Sequence, residues 1–245
     1  MQWVDSMELQ PLQVLILALE FSSVALAVAL VFLFSKIYKT KRSIFLLGLP
    51  LGFFLLMSSS FFLSAHLVDL IFRSVDAFSS SLMWLRVITQ TIGFALIVSS
   101  YVFAGRYQNK VKQSYLVILA GSTVLMLAAF GLLFAINPTG LSSVYSTNKI
   151  LAAINLALLS YIIIFLIRKV SLKNRVSDSI SGLVAFFSLW IGQFSFLVWG
   201  LANGGDAALV GSQIARLVGF AIFLRIYYLA SKESSINAIE QTKQS

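Results

Sequence analysis

Seven stretches of mostly apolar residues divide the sequence, and each is long enough to cross a lipid bilayer as an α-helix. A helix needs about 20 such residues to span the hydrocarbon core. The chain is 59% hydrophobic and only 11% charged, whereas a soluble chain is about half apolar and a quarter charged. The stretches are 12–35, 43–66, 82–104, 113–136, 147–167, 180–202 and 208–230. The sequence therefore predicts an all-α, polytopic integral membrane protein, with residues 1–245 forming a single seven-helix domain.

The basic residues between these stretches predict the orientation of the helices, because Lys and Arg favour short cytoplasmic loops. Basic residues follow the first, third and fifth stretches and occur in the tail: Lys36, Lys39, Lys41, Arg42, Arg106, Lys110, Lys112, Arg168, Lys169, Lys173, Arg175, Lys232 and Lys243. The opposite side is mostly acidic, with Asp5, Glu8, Asp69, Asp76 and Asp206. We therefore expect a multi-pass protein of the cell membrane with its N-terminus outside and its C-terminus in the cytoplasm. The net charge of +9 then reflects contact with anionic lipid headgroups, and no nucleic-acid partner is expected.

Matched letters in separate stretches indicate an internal repeat. A Gly-Phe-Ala triplet followed by a tyrosine occurs twice, 126 positions apart: Gly93-Phe94-Ala95 with Tyr101, and Gly219-Phe220-Ala221 with Tyr227. A second offset of 133 positions relates Phe53-Phe54 to Phe186-Phe187. We predict a 3+1+3 arrangement in which repeat A covers about 12–106, a linker helix about 113–136 and repeat B about 147–232. The alternative is that helices rich in Phe, Leu and Ala share letters by composition alone.

The 3+1+3 arrangement resembles that of the sugar-transporting and PQ-loop families. Parallel repeats related by an axis along the membrane normal occur in one class of transporters. Those two families place a proline, often followed by glutamine, in corresponding helices of their repeats. The three prolines of this chain, Pro11, Pro50 and Pro138, do not occupy matching positions. The resemblance is therefore one of architecture, and it does not predict membership.

Polar residues that are costly inside apolar helices fall at one predicted depth. Glu20, Gln90, Asn155 and Arg216 each lie eight residues inward from the predicted outer end of a stretch, and Gln193 lies nine inward. At 1.5 Å per residue this depth is roughly 12 Å below the outer boundary. Such groups usually face the interior of a bundle and pair with one another.

Glu20 is the only acidic residue inside a predicted span, so the sequence predicts an ion pair between Glu20 and Arg216. Arg86, one turn further out, is the competing partner. The layer could be dry and purely adhesive, or it could be a solute or proton site reached from outside, in which an anionic ligand would meet Arg216. The candidate ligand-binding or ion-pair layer comprises Glu20, Arg86, Gln90, Asn155, Gln193 and Arg216.

Other kinds of site find little support in the sequence. The chain has no cysteine and one histidine, and His66 with Asp69 offers too few ligands for a closed metal site. No nucleophile–base pair is evident, so we do not expect an enzyme. The topology resembles that of retinal proteins, but every lysine lies at a boundary or in a loop, where it could not form a Schiff base at mid-membrane. We therefore expect no metal and no cofactor.

These features favour three functions that share one location. The leading hypothesis is a small-solute transporter, whose ligand binds at the level of Glu20 and Arg216. The second is a seven-helix membrane sensor that signals through a separate protein partner at its cytoplasmic loops. The third is a non-catalytic structural subunit of a membrane complex, in which the polar layer only holds helices together.

Overall fold

Six long helices dominate the computed structural model of the protein. The structure describes residues 11–41, 43–72, 77–103, 113–122, 124, 128, 144–171, 176–201 and 206–243, and none of these residues lies in a β-strand. The long helices are α1 (Pro11–Lys41), α2 (Gly48–Phe72), α3 (Ala77–Phe103), α5 (Val144–Ser171), α6 (Val176–Leu201) and α7 (Asp206–Lys243). Residues 113–122 are also helical and are called α4 here.

The six long helices are each long and apolar enough to cross a membrane. They correspond to the first, second, third, fifth, sixth and seventh predicted stretches, so the prediction of long apolar helices is confirmed for these six. Half of the fourth predicted stretch, 113–136, lies outside the described residues, and seven spans remain a prediction. Many of the basic and acidic loop residues that predict the orientation, including Arg106 and Asp76, also lie outside them.

The six long helices form a closed ring. Helix α1 packs against α2 and α7, α3 packs against α2 and α5, and α6 packs against α5 and α7. Large apolar side chains cover the outside of this ring, among them Phe32, Phe61, Ile164 and Phe187. Such an apolar exterior is stable in contact with lipid and would aggregate in water. The composition and the exposed surface therefore describe a helical membrane protein.

The second helix begins later than its apolar stretch. A short 3-10 turn (Ile44–Leu46) precedes it, and α2 begins at Gly48, which places Pro50 in the first turn. Proline is tolerated there because the first N–H groups of a helix have no partner within the helix. The Gly48 N–H instead donates to the Tyr115 hydroxyl of α4, at 2.8 Å. Pro50 therefore marks the start of α2.

An apolar core fills one half of the ring and takes residues from all six long helices. Aromatic side chains form its centre: Phe34, Phe53, Phe94, Phe186, Phe220 and Phe223. On every helix these residues lie on the side of the polar layer that is predicted to face the cytoplasm. The predicted outer half has smaller apolar clusters, one around Ile16, Leu63 and Leu67 and another around Val87, Ala152 and Phe196. The polar layer thus lies between a thick apolar core, called the inner core below, and a thinner outer one.

Candidate functional site

Glu20 and Arg216 form an ion pair between the adjacent helices α1 and α7. The Arg216 Nη2 atom donates to Glu20 Oε2, and it also lies 2.5 Å from Gln213 Oε1 on the preceding turn of α7. The Glu20 side chain is fully buried, and Arg216 is only 4% exposed. Helix α6 comes close at this level, where Gly192 faces the α7 backbone and an added Cβ would lie 3.0 Å from the Ser212 carbonyl oxygen. Arg216 is therefore paired with Glu20 of α1, bonded to the Gln213 amide of its own helix, and close to α6.

Arg86 reaches the same carboxylate from the other side of the ring. Its Nη2 atom lies 3.9 Å from Glu20 Oε1, which is within ion-pair range but beyond hydrogen-bond length. The guanidinium carbon stands 4.7 Å from the centre of the Phe196 ring, in a cation–π arrangement. Since α3 and α1 are not neighbours in the ring, Arg86 spans the interior of the bundle. The sequence predicts Arg86 and Arg216 as alternative partners of Glu20, whereas in the structure both lie within ion-pair distance of its carboxylate.

The three amide residues of the predicted layer are buried on α3, α5 and α6. Asn155 Nδ2 lies 3.4 Å from Gln193 Oε1, at the long end of hydrogen-bond range, and this contact joins α5 to α6. Gln90 is 2% exposed and shares a face of α3 with Arg86, one turn away. The candidate residues thus comprise a charged cluster of Glu20, Arg86 and Arg216, a separate amide pair of Asn155 and Gln193, and Gln90, which belongs to neither.

Two residues that contact the charged cluster were not among the sequence candidates. Gln213 lies three residues before Arg216, a spacing that places both on one face of a helix, so the pattern could have indicated it. Phe196, which covers the Arg86 guanidinium, could not have been found this way. The chain has 21 phenylalanines, and nothing in the sequence distinguishes this one from those that only pack.

Several buried polar atoms of the layer have no hydrogen-bond partner within the described part of the chain. In the charged cluster and its partner Gln213 they are Glu20 Oε1, Arg86 Nε, Arg86 Nη1, Arg216 Nε and Gln213 Nε2. Nearby hydroxyls and the amide pair add Ser23 Oγ, Ser59 Oγ, Ser60 Oγ and Asn155 Oδ1. An unpaired buried polar group costs about 1–3 kcal/mol, and more when it is charged. A layer with this many unpaired groups contributes little to the association of the helices. Its free donors and acceptors are suited to binding a polar molecule.

The described residues contain no group of three or more His, Asp or Glu side chains that could hold a metal ion. The buried polar side chains of the layer carry guanidinium, carboxylate, amide and hydroxyl groups. These groups can bind and orient a small polar or charged molecule. Comparison of this chain with protein-family models, with curated proteins and with solved structures finds no match.

Proposed function

We propose that this protein is a multi-pass protein of the cell membrane that carries a small solute across the bilayer. The observation that supports this proposal is the buried cluster of Glu20, Arg86 and Arg216, which has unpaired polar atoms in the middle of a ring of apolar helices. Charged groups inside membrane helices are expensive and usually mark a solute or ion pathway. The basic loops of the sequence support an N-terminus outside and a C-terminus in the cytoplasm.

We further propose that α1–α3 and α5–α7 are parallel repeats, as the matched letters predict. Matched contacts support this. A Cβ added to Gly93 would lie 2.9 Å from the Gly52 carbonyl oxygen, and one added to Gly219 would lie 3.1 Å from that of Ala185. Gly93 and Gly219 are 126 positions apart, and Gly52 and Ala185 are 133 apart, so both pairs follow the two sequence offsets.

The order of the helices in the ring supports the same proposal. Exchanging α1 with α5, α2 with α6 and α3 with α7 reproduces every neighbour relation of the ring. Two equivalent residues also meet each other, because the hydroxyls of Tyr101 and Tyr227 are hydrogen bonded at 2.5 Å. Residues related by a two-fold axis can touch only near that axis. On this proposal the axis passes near these tyrosines, at the predicted cytoplasmic end.

The two halves of the ring suggest how access alternates in such a carrier. The inner core closes the route from the polar layer to the cytoplasm, with the Tyr101–Tyr227 pair beyond it. The outer apolar clusters are smaller, and the layer is closed to solvent in this conformation. Rocking of one repeat against the other would open the layer to one side at a time, as in transporters built from repeats.

Thiol accessibility tests this proposal without knowledge of the solute. The chain has no cysteine, so a single Ser23→Cys variant carries one reporter on α1, one turn inward from Glu20. Ser23 is fully buried and its Oγ is unpaired in the described structure. The variant is placed in oriented proteoliposomes, and a membrane-impermeant thiol reagent is added to one side or the other. A carrier exposes the thiol to both sides in turn, so we expect slow modification from each.

Ser22→Cys is the matched control. Ser22 is the adjacent residue and is exposed on the lipid-facing side of α1, where a thiol does not ionise and does not react. Modification of Ser23→Cys from neither side, with the variant folded, contradicts transport and leaves an adhesive layer. Uptake of a solute panel into the same proteoliposomes gives the second readout. No transport of any solute, with a folded Arg216→Ala variant behaving like wild type, also contradicts the proposal.

A sensor is the second candidate, and one observation favours it. Helix α7 does not end near Ala230, where the apolar stretch ends, but continues as one helix to Lys243. A continuous helix can carry a movement at Arg216 directly to a partner at the predicted cytoplasmic side. In the same experiment a sensor gives modification of Ser23→Cys from the outside only.

A further inference from the structure

The charges of the cluster do not cancel. Arg86 and Arg216 contribute two positive charges and Glu20 contributes one negative charge. Glu20 is the only carboxylate within the six spans Leu12–Thr40, Ile44–Val68, Leu82–Phe103, Lys149–Arg168, Ile180–Trp199 and Ala207–Leu229. Arginine does not shed its proton in proteins, so this excess cannot be relieved as it would be at a buried lysine. One positive charge therefore remains in the interior of the bundle.

The excess charge is located at Arg86. Arg216 has two partners, the Glu20 carboxylate and the Gln213 amide oxygen. Within the described chain Arg86 has one ion-pair contact, to Glu20 at 3.9 Å, and its Nε and Nη1 atoms have no hydrogen-bond partner there. The Arg86 side chain is nevertheless buried, with an exposed fraction of only 2%. The Phe196 ring stabilises one face of the guanidinium. The guanidinium N–H groups lie in the guanidinium plane, so a ring that covers the face cannot accept hydrogen bonds from them.

We propose that Arg86 binds a small monovalent anion, which is the ligand of the polar layer. This inference rests on the proposed solute-binding function and names its substrate class. A single negative charge brings the cluster to neutrality, and the anion accepts the unpaired Nε and Nη1 hydrogens in charge-assisted bonds. A divalent anion would instead leave a buried excess of the opposite sign. Binding at Arg86 rather than Arg216 differs from the sequence expectation, because Glu20 already occupies Arg216.

The test is ligand-induced thermal stabilisation of the purified full-length chain in detergent. Sodium chloride, sodium nitrate and sodium acetate are each titrated against sodium sulfate at matched ionic strength. We expect at least one monovalent anion to raise the Tm with the logarithm of its concentration above Kd, by roughly 5–10 °C at about a hundred times its Kd. Equal Tm values in all four salts at every concentration overturn the proposal.

Three variants change the charge count in steps. Arg86→Met makes the cluster neutral, and we expect the anion-dependent rise in Tm to vanish. Glu20→Gln doubles the excess charge, and we expect at least tenfold tighter anion binding. Arg225→Met removes an exposed charge of α7 and should keep the wild-type response. A full response in Arg86→Met, or unchanged affinity in Glu20→Gln, contradicts the proposal, and the second variant decides the matter if the first does not fold.

Binding in detergent does not require translocation, so the two proposals fail separately. Anion binding together with an unreactive Ser23→Cys thiol upholds the anion site and contradicts transport. Modification of that thiol from both sides with no anion response upholds alternating access and contradicts the anion as ligand.

Discussion

A single methyl group added at Gly93 should separate two helices of the ring. In Gly93→Ala the new Cβ would lie 2.9 Å from the Gly52 carbonyl oxygen and 3.3 Å from Leu55 Cβ and Leu56 Cδ2. Real Cβ atoms do not approach other heavy atoms as closely as 2.9 Å, so something must shift. The nearest atom belongs to the α2 backbone, which cannot rotate away as a side chain can. Helices α2 and α3 must therefore move apart along their contact.

The expected cost follows from two opposing effects. Overpacking a well-packed interior costs about 1–3 kcal/mol, while replacing glycine by alanine inside a helix gains up to about 1 kcal/mol. We expect Gly93→Ala to lower the free energy of unfolding by about 1–2 kcal/mol. Gly219→Ala should cost less, because its nearest contacts at 2.9 and 3.0 Å are with the flexible Leu189 side chain. The Ala185 carbonyl oxygen at 3.1 Å still prevents a neutral result.

Reversible unfolding in mixed detergent micelles, followed by circular dichroism, measures these differences. Gly211→Ala and Gly182→Ala are matched controls on α7 and α6, since no described atom would lie within 4 Å of their new Cβ. We expect both controls to be neutral or slightly stabilised through helix propensity. Equal stability of Gly93→Ala and Gly211→Ala would refute the inference that α2 and α3 pack backbone to backbone at Gly93.

Two hydroxyl groups give further predictions. Tyr115→Phe should destabilise the protein by about 0.6–1.7 kcal/mol, from the average to the largest value for a hydrogen bond between membrane helices. The hydroxyl accepts from Gly48 N–H and donates to Phe45 O, at 3.2 Å. Tyr161→Phe, at an exposed tyrosine, should be neutral in the same unfolding assay, and equal effects would contradict this role of Tyr115. Tyr101→Phe and Tyr227→Phe should be non-additive, because each removes the same hydrogen bond. A double-mutant cycle measures this, and simple additivity would show that the two hydroxyls do not interact.

The helices were predictable from the sequence because apolar length alone determines which segments can cross a bilayer. The position of each polar residue along its helix was also predictable, since residues counted from the end of a helix convert directly into distance along its axis. That count paired Glu20 with Arg216, and the two side chains are in contact. The start of α2 was less accessible, because an apolar stretch does not distinguish a 3-10 turn from the helix that follows it.

Rotation about the helix axes was not predictable, and the details of the site depend on it. Sharing of the Glu20 carboxylate by Arg86 and Arg216 requires α3 to face α1 across the ring. The stacking of Phe196 on Arg86 requires a particular face of α6. A sequence gives the height of each residue but not the direction of its side chain when nearly every face of the helix is apolar. The sequence therefore predicted both arginines as possible partners of Glu20 without indicating that they share it.

The proposed repeat offers a test of whether the charged cluster is needed for packing. Under its offsets, Ala153 corresponds to Glu20, Gln90 to Arg216 and Ser212 to Arg86, and none of these counterparts is charged. The α3–α5 contact, the counterpart of α1–α7, thus packs without an ion pair at the matching positions. If the bundle can join two such helices without charges, the charges serve another purpose.

A neutral variant turns this reasoning into a measurement. Glu20→Gln, Arg86→Met and Arg216→Met together remove all three charges with little change in volume. Replacing a buried ionic cluster by uncharged groups of similar volume is often neutral or stabilising by about 1–4 kcal/mol, whereas removing one partner costs about 3–5 kcal/mol. We expect the triple variant to be at least as stable as wild type and Glu20→Ala to be far less stable. A triple variant that loses stability like Glu20→Ala would show that the layer is adhesive, because only then does folding depend on the charges themselves.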